Sequence, residues 1–213
     1  MRWPTIDEIS AMATLPTGYR FEPMTRADIQ PLIEGIRAWF PGVTVGAASC
    51  YLTERFYLDK VVLDGDTDKD VIAILIRNGD ELVGMGSWER ESAAMTLYAR
   101  LGVISPAHRG AHMAVLAMEL GEKMGRAMGA GFIYTLATMK MPQMQLALEH
   151  AGYQLIGFMP GYDREEVAPG VVKRVYEAGY AKRLAPEDDF LRPEDRNMSP
   201  HVKRLFDIIF PPS

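Results

Sequence analysis

The hydrophobic period changes near Gly110, and this change constrains the fold of the 213-residue chain more than any other feature. Before it, Met95 to Val103 alternates apolar residues with others, which is typical of a strand. After it, apolar residues from Met113 to Ala127 recur about every 3.5 positions, which predicts a long amphipathic helix. Phe132 to Ala137 then predicts a buried strand parallel to the first. Together these segments predict a βαβ unit.

Further strands are predicted on both sides of this unit. Val71 to Ile76 and Glu81 to Trp88 flank Asn78-Gly79, a dipeptide typical of a tight hairpin whose two central residues accept positive φ. With Met95 to Val103 they predict an antiparallel meander. The remaining strands are expected at Tyr19–Met24, Gln154–Phe158 and Val171–Tyr180.

Helices are predicted between these strands. Thr25-Arg26-Ala27-Asp28 matches a capping box and opens a helix that Pro41-Gly42 ends. Weaker helical patterns cover Ala47–Asp59 and Pro142–His150. The predicted fold class is therefore α+β, a mixed, mostly antiparallel sheet of about seven strands with a central βαβ unit and flanking helices.

The domain organisation follows from the chain length and from a change in composition near Leu184. A single core is expected at this length. We expect a domain at 19–184, an N-terminal extension at 1–18, and a Pro- and acid-rich extension at 185–213. Ser199-Pro200 can start a short helix there that carries a run of apolar residues up to Phe210. We expect it to dock on its own core, or alternatively on a second subunit in a homodimer.

Composition disfavours several classes of function. The net charge of −5 provides no broad basic surface for a nucleic acid. Cys50 is the only cysteine, so no intramolecular disulfide can form and no oxidising compartment is needed. Proline and acids interrupt the first residues, and no stretch reaches transmembrane length. We therefore expect a cytoplasmic protein without a nucleic-acid or membrane partner.

Two segments resemble metal sites only superficially. Asp64 to Asp70 is similar to a calcium loop, but Lys69 occupies the required glycine position and Leu75 the glutamate position. His108 and His112 have helical spacing but lack the intervening carboxylate of a zinc protease. We expect no metal site.

The turn between the alternating strand and the long helix carries the functional signal. Successive N–H groups at a helix start point outward and bind phosphate, assisted by the helix dipole. Gly110 allows a tight turn, and Arg109 can donate to phosphate oxygens. Ile104-Ser105-Pro106-Ala107-His108-Arg109-Gly110 and Arg109-x-x-His112-x-Ala114 are the two segments concerned. The first matches, and the second partly matches, the pattern of the GNAT N-acyltransferases, which the chain resembles over roughly Tyr19 to Leu184.

The resemblance implies the GNAT fold and acetyl-CoA or another acyl-CoA as cosubstrate. A backbone N–H near Ile104 would meet the developing oxyanion, where the family separates two strands. The acyl acceptor would be an amine that attacks the thioester directly, which leaves Cys50 a structural role. The implied cofactor-binding residues are Val103, Ile104, Arg109, Gly110, Ala111, His112, Met113 and Ala114.

Two positions depart from the family pattern. His112 stands where the first glycine is expected; its ring can pair with phosphate or point to solvent. Leu148 stands where members often carry a tyrosine that protonates the departing thiolate. Possible substitutes are Tyr134, Tyr153 and Tyr162.

An amine acceptor also needs a base, because such amines are protonated at neutral pH. Glu89 and Glu91, near the hairpin exit, and Tyr98, on the strand before the turn, are the candidates. The acidic balance slightly favours a cationic acceptor. The sequence thus predicts an N-acyltransferase, most simply an N-acetyltransferase. The alternative is a catalytically silent CoA-binding or regulatory module with the same fold.

Overall fold

The computed structural model describes residues 1–66, 68–110 and 112–211. Its strands form one seven-stranded sheet in the order β1-β2-β3-β4-β5-β7-β6. Every neighbouring pair is antiparallel except β4 and β5, which are parallel and are joined by a crossover helix. The predicted fold class is confirmed. The strands are β1 (Tyr19–Pro23), β2 (Val71–Asn78), β3 (Glu81–Glu91), β4 (Thr96–Ile104), β5 (Phe132–Thr138), β6 (Gln154–Ala168) and β7 (Val171–Arg183).

Helices cover both faces of this sheet. The α-helices are α1 (Ile6–Met12), α2 (Ile29–Trp39), α3 (Glu54–Lys60), α4 (Met113–Ala127), α5 (Gln143–His150) and α6 (Pro200–Ile209). The helical segment predicted at Ala47–Asp59 is divided at Thr53 into a 3-10 turn and α3. At the start of α2, the predicted capping box forms, since the backbone N–H of Thr25 donates to Asp28 Oδ2 at 2.9 Å.

Two hydrophobic cores lie on opposite faces of the sheet. The first core contains Trp88 and Leu97 together with the buried side of α4, and the second contains the buried side of α2. In β2 every residue from Val71 to Ile76 is buried, and successive residues alternate between the two cores. A strand covered on both faces explains why this segment reads as an unbroken apolar run.

Strand β4 changes faces part-way along its length. Its register against β3 passes from Trp88–Ala99 to Ser87–Leu101, so that Arg100 is an extra, unpaired residue. Ala99 therefore packs in the first core, whereas Leu101 packs against the second. The sequence predicted one uninterrupted alternation, which is wrong because a β-bulge reverses the facing of all residues beyond it.

The hairpin between β2 and β3 is present, but its turn is one residue later than the sequence predicted. Asn78 pairs with Glu81, so the central residues are Gly79 and Asp80. Of these, Gly79 adopts a positive φ of 56°. The register also shifts between Ile76 and Arg77, where a bulge leaves Val83 of β3 unpaired.

Helix α4 approaches the sheet closely where it crosses Trp88. A Cβ added to Gly121 would overlap the indole Nε1 and lie 3.1 Å from Cε2. On the far side of the same ring, a Cβ on Gly86 would lie 2.6 Å from Cη2. Trp88 is only 1% exposed, so the two glycines leave the space that its indole fills.

The two terminal segments pack differently. Trp3 is buried in the first core, and its Nε1 donates to Lys69 O at 2.9 Å. Helix α6 buries no residue, and 71% of Ile208 is exposed. No apolar residue of α6 packs with either core, so the expectation that this tail docks its apolar side on its own core is wrong. Gln154 Nε2 of β6 donates to Ile209 O and joins the tail to the domain. Within the described ranges, no helix has the length and apolar character needed to cross a membrane.

Candidate functional site

A gap opens in the sheet between the parallel strands β4 and β5. They pair over four residue pairs, from Thr96–Phe132 to Ala99–Thr135. Beyond these pairs, β4 continues against β3 as far as Ile104, and β5 continues against β7 as far as Thr138. The edge of β4 that faces β5 therefore has no strand partner past Ala99. Backbone groups left unpaired in this way are available to a ligand.

The turn after β4 brings a helix start to the open end of this gap. A 3-10 turn at Pro106–His108 leads to Gly110, whose φ is 98°. The first bond within α4 runs from Leu116 N–H to His112 O at 3.1 Å. The N–H groups of residues Met113 to Val115 consequently have no acceptor within the helix. Such a helix start can bind an anion.

His112 occupies the N-cap of α4 in the left-handed conformation, with φ 55°. An L-residue is strained there, whereas glycine is not. The backbone thus explains why the family pattern has a glycine at this position. The His112 side chain is exposed. Ala111, which the sequence assigned to the same turn, lies outside the described residues.

Arg109 connects two elements rather than projecting freely. Its Nε donates to Ile104 O at 3.2 Å, and its Nη2 donates to Trp39 O at 2.7 Å. The side chain therefore ties the last residue of α2 to the end of β4. Because Arg109 is exposed, a phosphate can compete for these donors.

Contacts of His108 hold the turn against β1 and β3. His108 Nδ1 lies 2.7 Å from Tyr19 Oη, and its Nε2 lies 3.6 Å from Glu81 Oε2. Val103 is 5% exposed within the second core, and Ile104 packs against the first. Val103 can therefore meet a ligand only through its backbone, whereas Ile104 is half-buried. The sequence assigned no role to His108 beyond its place in the motif.

Both glutamates that the sequence proposed as bases have partners. Glu89 forms an ion pair with Arg100, the bulged residue of β4. Glu91 accepts a hydrogen bond from Thr96 Oγ1 at 2.5 Å and another from Tyr134 Oη at 3.0 Å. Both carboxylates are therefore already engaged by neighbouring side chains.

Tyr98 lies beside the gap and stacks on Tyr134, with ring centroids 4.8 Å apart. Burial raises the pKa of Tyr98 to about 12, and the neighbouring Tyr162, Glu177 and Asp163 add to the effect. Tyr98 is thus a neutral phenol at neutral pH. The residues that raise its pKa come from β6 and β7; of these, the sequence analysis had connected only Tyr162 with the site.

The second half of β6 forms a wall beside the gap. Its Asp163 Oδ1 accepts from Ala47 N–H at 2.8 Å, and its Glu166 Oε2 accepts from Thr44 Oγ1 at 2.7 Å. Glu165 forms an ion pair with Lys140. These contacts hold the β6–β7 hairpin against the loop that follows α2. The second half of β6 was not predicted from the sequence, because the predicted strand ends at Phe158.

Solved structures share the fold of this chain. Spermidine N-acetyltransferase from Vibrio cholerae, in complex with CoA and spermine, superposes with a TM-score of 0.61 at 11% identity, over 79% of this chain and 97% of that one. The chain has the GNAT fold. The RimL ribosomal L7/L12 α-N-protein acetyltransferase, solved in complex with coenzyme A, gives a TM-score of 0.60 at 10% identity, over 81% and 97% of the two chains. An IAA acetyltransferase from Bacillus cereus gives 0.57 at 9% identity, over 78% and 99%.

These similarities confirm the GNAT resemblance seen in the sequence, at the level of the fold. No family model matches the sequence, and no curated protein sequence matches it. The GNAT neighbours named above are N-acetyltransferases or acetyltransferases, and two of them were solved with CoA.

Within this GNAT fold, the position of the missing acid is closed to solvent. Leu148 lies on α5 and is 0% exposed in the first core. Of the substitutes, Tyr153 is buried and donates to Met118 O at 3.2 Å, and Tyr134 donates to Glu91. Tyr162 is 52% exposed, and its hydroxyl forms no hydrogen bond to any described residue.

Among the described residues, neither Cys50 nor a group of metal-ligating side chains forms a second candidate site. Burial raises the pKa of the Cys50 thiol, although the nearby Arg100 guanidinium opposes the shift. The thiol therefore remains protonated and unreactive near neutral pH. In the part of the chain that the structure describes, no three His, Cys, Asp or Glu side chains gather as metal ligands would.

Proposed function

We propose that this chain is an N-acyltransferase, most simply an N-acetyltransferase, that moves an acyl group from acyl-CoA to an amine by direct attack. The observation that carries the proposal is the gap between β4 and β5, whose open end meets the N-terminus of α4. Both kinds of N–H group needed for the reaction are then close together: those that bind phosphate and those that face a developing oxyanion. The CoA complexes of two structural neighbours support the choice of cosubstrate.

The residues present fit an acyl-CoA. A Cβ added to Gly110 or Gly102 would meet nothing within 4 Å, so the turn and the nearby strand border open space. When bound, acyl-CoA supplies an activated thioester. Met113 is 2% exposed, so it would contribute its backbone N–H rather than its side chain. The proposed cofactor-binding residues remain Val103, Ile104, Arg109, Gly110, Ala111, His112, Met113 and Ala114.

Proton transfer has weaker support than CoA binding. Glu89, Glu91 and Tyr98 remain candidate bases, although the first two are engaged with other side chains. Tyr162 is the tyrosine best able to protonate a thiolate, because its hydroxyl is uncommitted among the described residues. A thiol has a reference pKa near 8.5, about two units below a lysine-type amine, so its thiolate can also leave without an acid.

A catalytically silent CoA-binding module is the second candidate. It is favoured by Leu148, which is fully buried and provides no acid, and by the strained His112 in the turn. The two candidates agree on CoA binding and differ on turnover.

Titration calorimetry with CoA and acetyl-CoA tests the shared half of both candidates. Arg109→Glu should weaken binding more than tenfold, because it replaces a charged donor with a repelling carboxylate. Arg37→Glu, at an exposed position on α2, is the matched control and should bind normally. If neither ligand binds at millimolar concentration, both candidates fail. Thiol release from acetyl-CoA over a panel of amines, peptides and antibiotics then supports the enzyme, and binding without release supports the silent module.

The remaining expectations are proposals about the whole molecule. We propose one acyltransferase domain at 19–184 with extensions at 1–18 and 185–213, a cytoplasmic location, and a homodimer in which a second copy covers the apolar side of α6. The exposed Ile208 and Leu205 support the last of these. Light scattering of the full chain and of Ile208→Asp tests it, since a charge at a buried interface should separate the subunits.

A further inference from the structure

Glu177 on β7 is buried without a partner. It is 7% exposed and lies opposite Thr138 of β5 and Met159 of β6. Its neighbour Ala178 packs in the first core, so the Glu177 side chain points to the opposite face of the sheet. Its carboxylate forms no hydrogen bond or ion pair with any described residue. Its oxygens still reach solvent, because the fully enclosed, unpartnered polar atoms of the described chain are Trp88 Nε1 and Ser105 Oγ.

This unpartnered carboxylate borders the gap between β4 and β5. Thr138, its neighbour in the sheet, ends the part of β5 that has separated from β4. Tyr98, which stands beside the gap on β4, has its pKa raised by the charge of Glu177. Leu97 and Ala99 pack in the first core, so Tyr98 between them points to the same face of the sheet as Glu177.

The described charged groups that act on Glu177 and Tyr98 have partners of their own. From β6, Asp163 accepts from Ala47 N–H and Glu165 pairs with Lys140. From β4, Arg100 pairs with Glu89. The remaining titratable neighbours are the phenols Tyr98 and Tyr162. Burial, with Asp163 and Glu165 nearby, raises the pKa of Glu177 to about 7.

We propose that Glu177 binds the ammonium group of the acceptor beside the gap and accepts its proton, an inference that rests on the proposed acyltransferase function. One proton passes from the ammonium to the carboxylate, and the freed lone pair forms the C–N bond as the C–S bond breaks. A second nitrogen proton neutralises the thiolate. The products are the amide and the CoA thiol, and Glu177 returns its proton to solvent.

The properties of Glu177 suit this role better than those of the other carboxylates. Proton transfer from a lysine-type amine, with a reference pKa near 10.4, to an ordinary glutamate near 4.3 is unfavourable by roughly 10⁶. Transfer to a carboxylate whose pKa is about 7 is unfavourable by only roughly 10³. Asp163 adds negative charge beside it, which favours an acceptor that arrives as a cation.

Thiol release from acetyl-CoA by the full chain tests this assignment, with the amine that reacts fastest in the panel. Glu177→Gln should lower kcat/KM at least about 100-fold, the usual contribution of a positioned base. The Kd for CoA should stay within about twofold, because the residue lies away from the turn. Wild-type kcat/KM should rise with pH up to about pH 7, and this limb should vanish in Glu177→Gln but persist in Glu177→Asp.

Glu165→Gln is the matched control, because Glu165 has the same 7% exposure but an ion-pair partner. This variant should have the same kcat/KM as wild type above about pH 7. The pH range over which kcat/KM rises should shift to lower pH, because one negative neighbour of Glu177 is removed. A Glu177→Gln rate within about threefold of wild type, or a retained limb, overturns the assignment alone. Absence of thiol release by the wild-type chain with every amine overturns the proposed function, and this assignment with it.

Discussion

Replacing Gly121 with alanine has two opposing effects on stability, one through helix propensity and one through packing. Alanine favours an exposed helix interior by about 0.8–1.0 kcal/mol over glycine. In this chain the new methyl group would overlap Trp88 Nε1 and lie 3.1 Å from Cε2. Ordinary carbon contacts need about 3.5–4.0 Å, so the ring or the helix must move by about 1 Å.

The indole has little room for such a movement. Trp88 is 1% exposed, and a Cβ on Gly86 would already lie within 2.6 Å of its opposite edge. Overpacking of this kind costs about 1–3 kcal/mol. A rigid ring held between two elements cannot yield, so we expect an overpacking cost near the upper end of this range. After the gain in helix propensity is subtracted, Gly121→Ala should lower the free energy of unfolding by roughly 1–2 kcal/mol. In a chain of this length that corresponds to a Tm lower by about 3–6 °C.

Urea unfolding followed by far-ultraviolet circular dichroism measures the difference directly. Gly35→Ala in α2 is the matched control, because the atoms that a Cβ would meet belong to the half-buried Trp39 side chain at the helix end. That ring can rotate away, so the control should be neutral or more stable by up to about 1 kcal/mol. If Gly121→Ala is as stable as the control, α4 is not held against Trp88 as closely as described.

Three further predictions concern single residues. The pKa of Glu177 is about 7 in the folded state and about 4.3 in the unfolded state. Between these two pH values the folded state binds more protons than the unfolded state, so the free energy of unfolding falls as the pH rises from about 4.3 to about 7. Glu177→Gln should therefore match wild type near pH 4 and exceed its unfolding free energy by roughly 3–4 kcal/mol at pH 8. Equal stability at both pH values contradicts the raised pKa. His112→Gly should gain about 0.5–1 kcal/mol in urea unfolding by relieving the left-handed strain, whereas His112→Ala should gain nothing. Leu148→Tyr should lose about 1–3 kcal/mol, since the site is fully packed, and should not raise thiol release; a faster enzyme would show that the position reaches the cleft.

The sequence predicted the elements whose pattern is local. The alternation of β4, the period of α4 and the apolar run of β5 identified the βαβ unit and the turn between them. The bulge at Arg100 could not be predicted, because the residue types on both sides of it alternate as they would in a regular strand. The same pattern fits both a continuous strand and one that changes faces.

Two features of the site depended on contacts between distant residues. Arg109 donates to Trp39 O, 70 positions away, which no spacing within the motif indicates. Nothing in the sequence around Glu177 distinguishes it from an exposed glutamate, and only the packing of β6 and β5 beside it buries the carboxylate. The length of β6 was missed because the charged residues of an edge strand do not produce an apolar pattern.

The bulge in β4 also separates the requirements on residues that are close in sequence. Ala99 and Leu101 are two positions apart, yet a change in volume at Ala99 must be compensated among the residues of α4, and a change at Leu101 among those of α2. The two sides of the sheet can thus be redesigned one at a time.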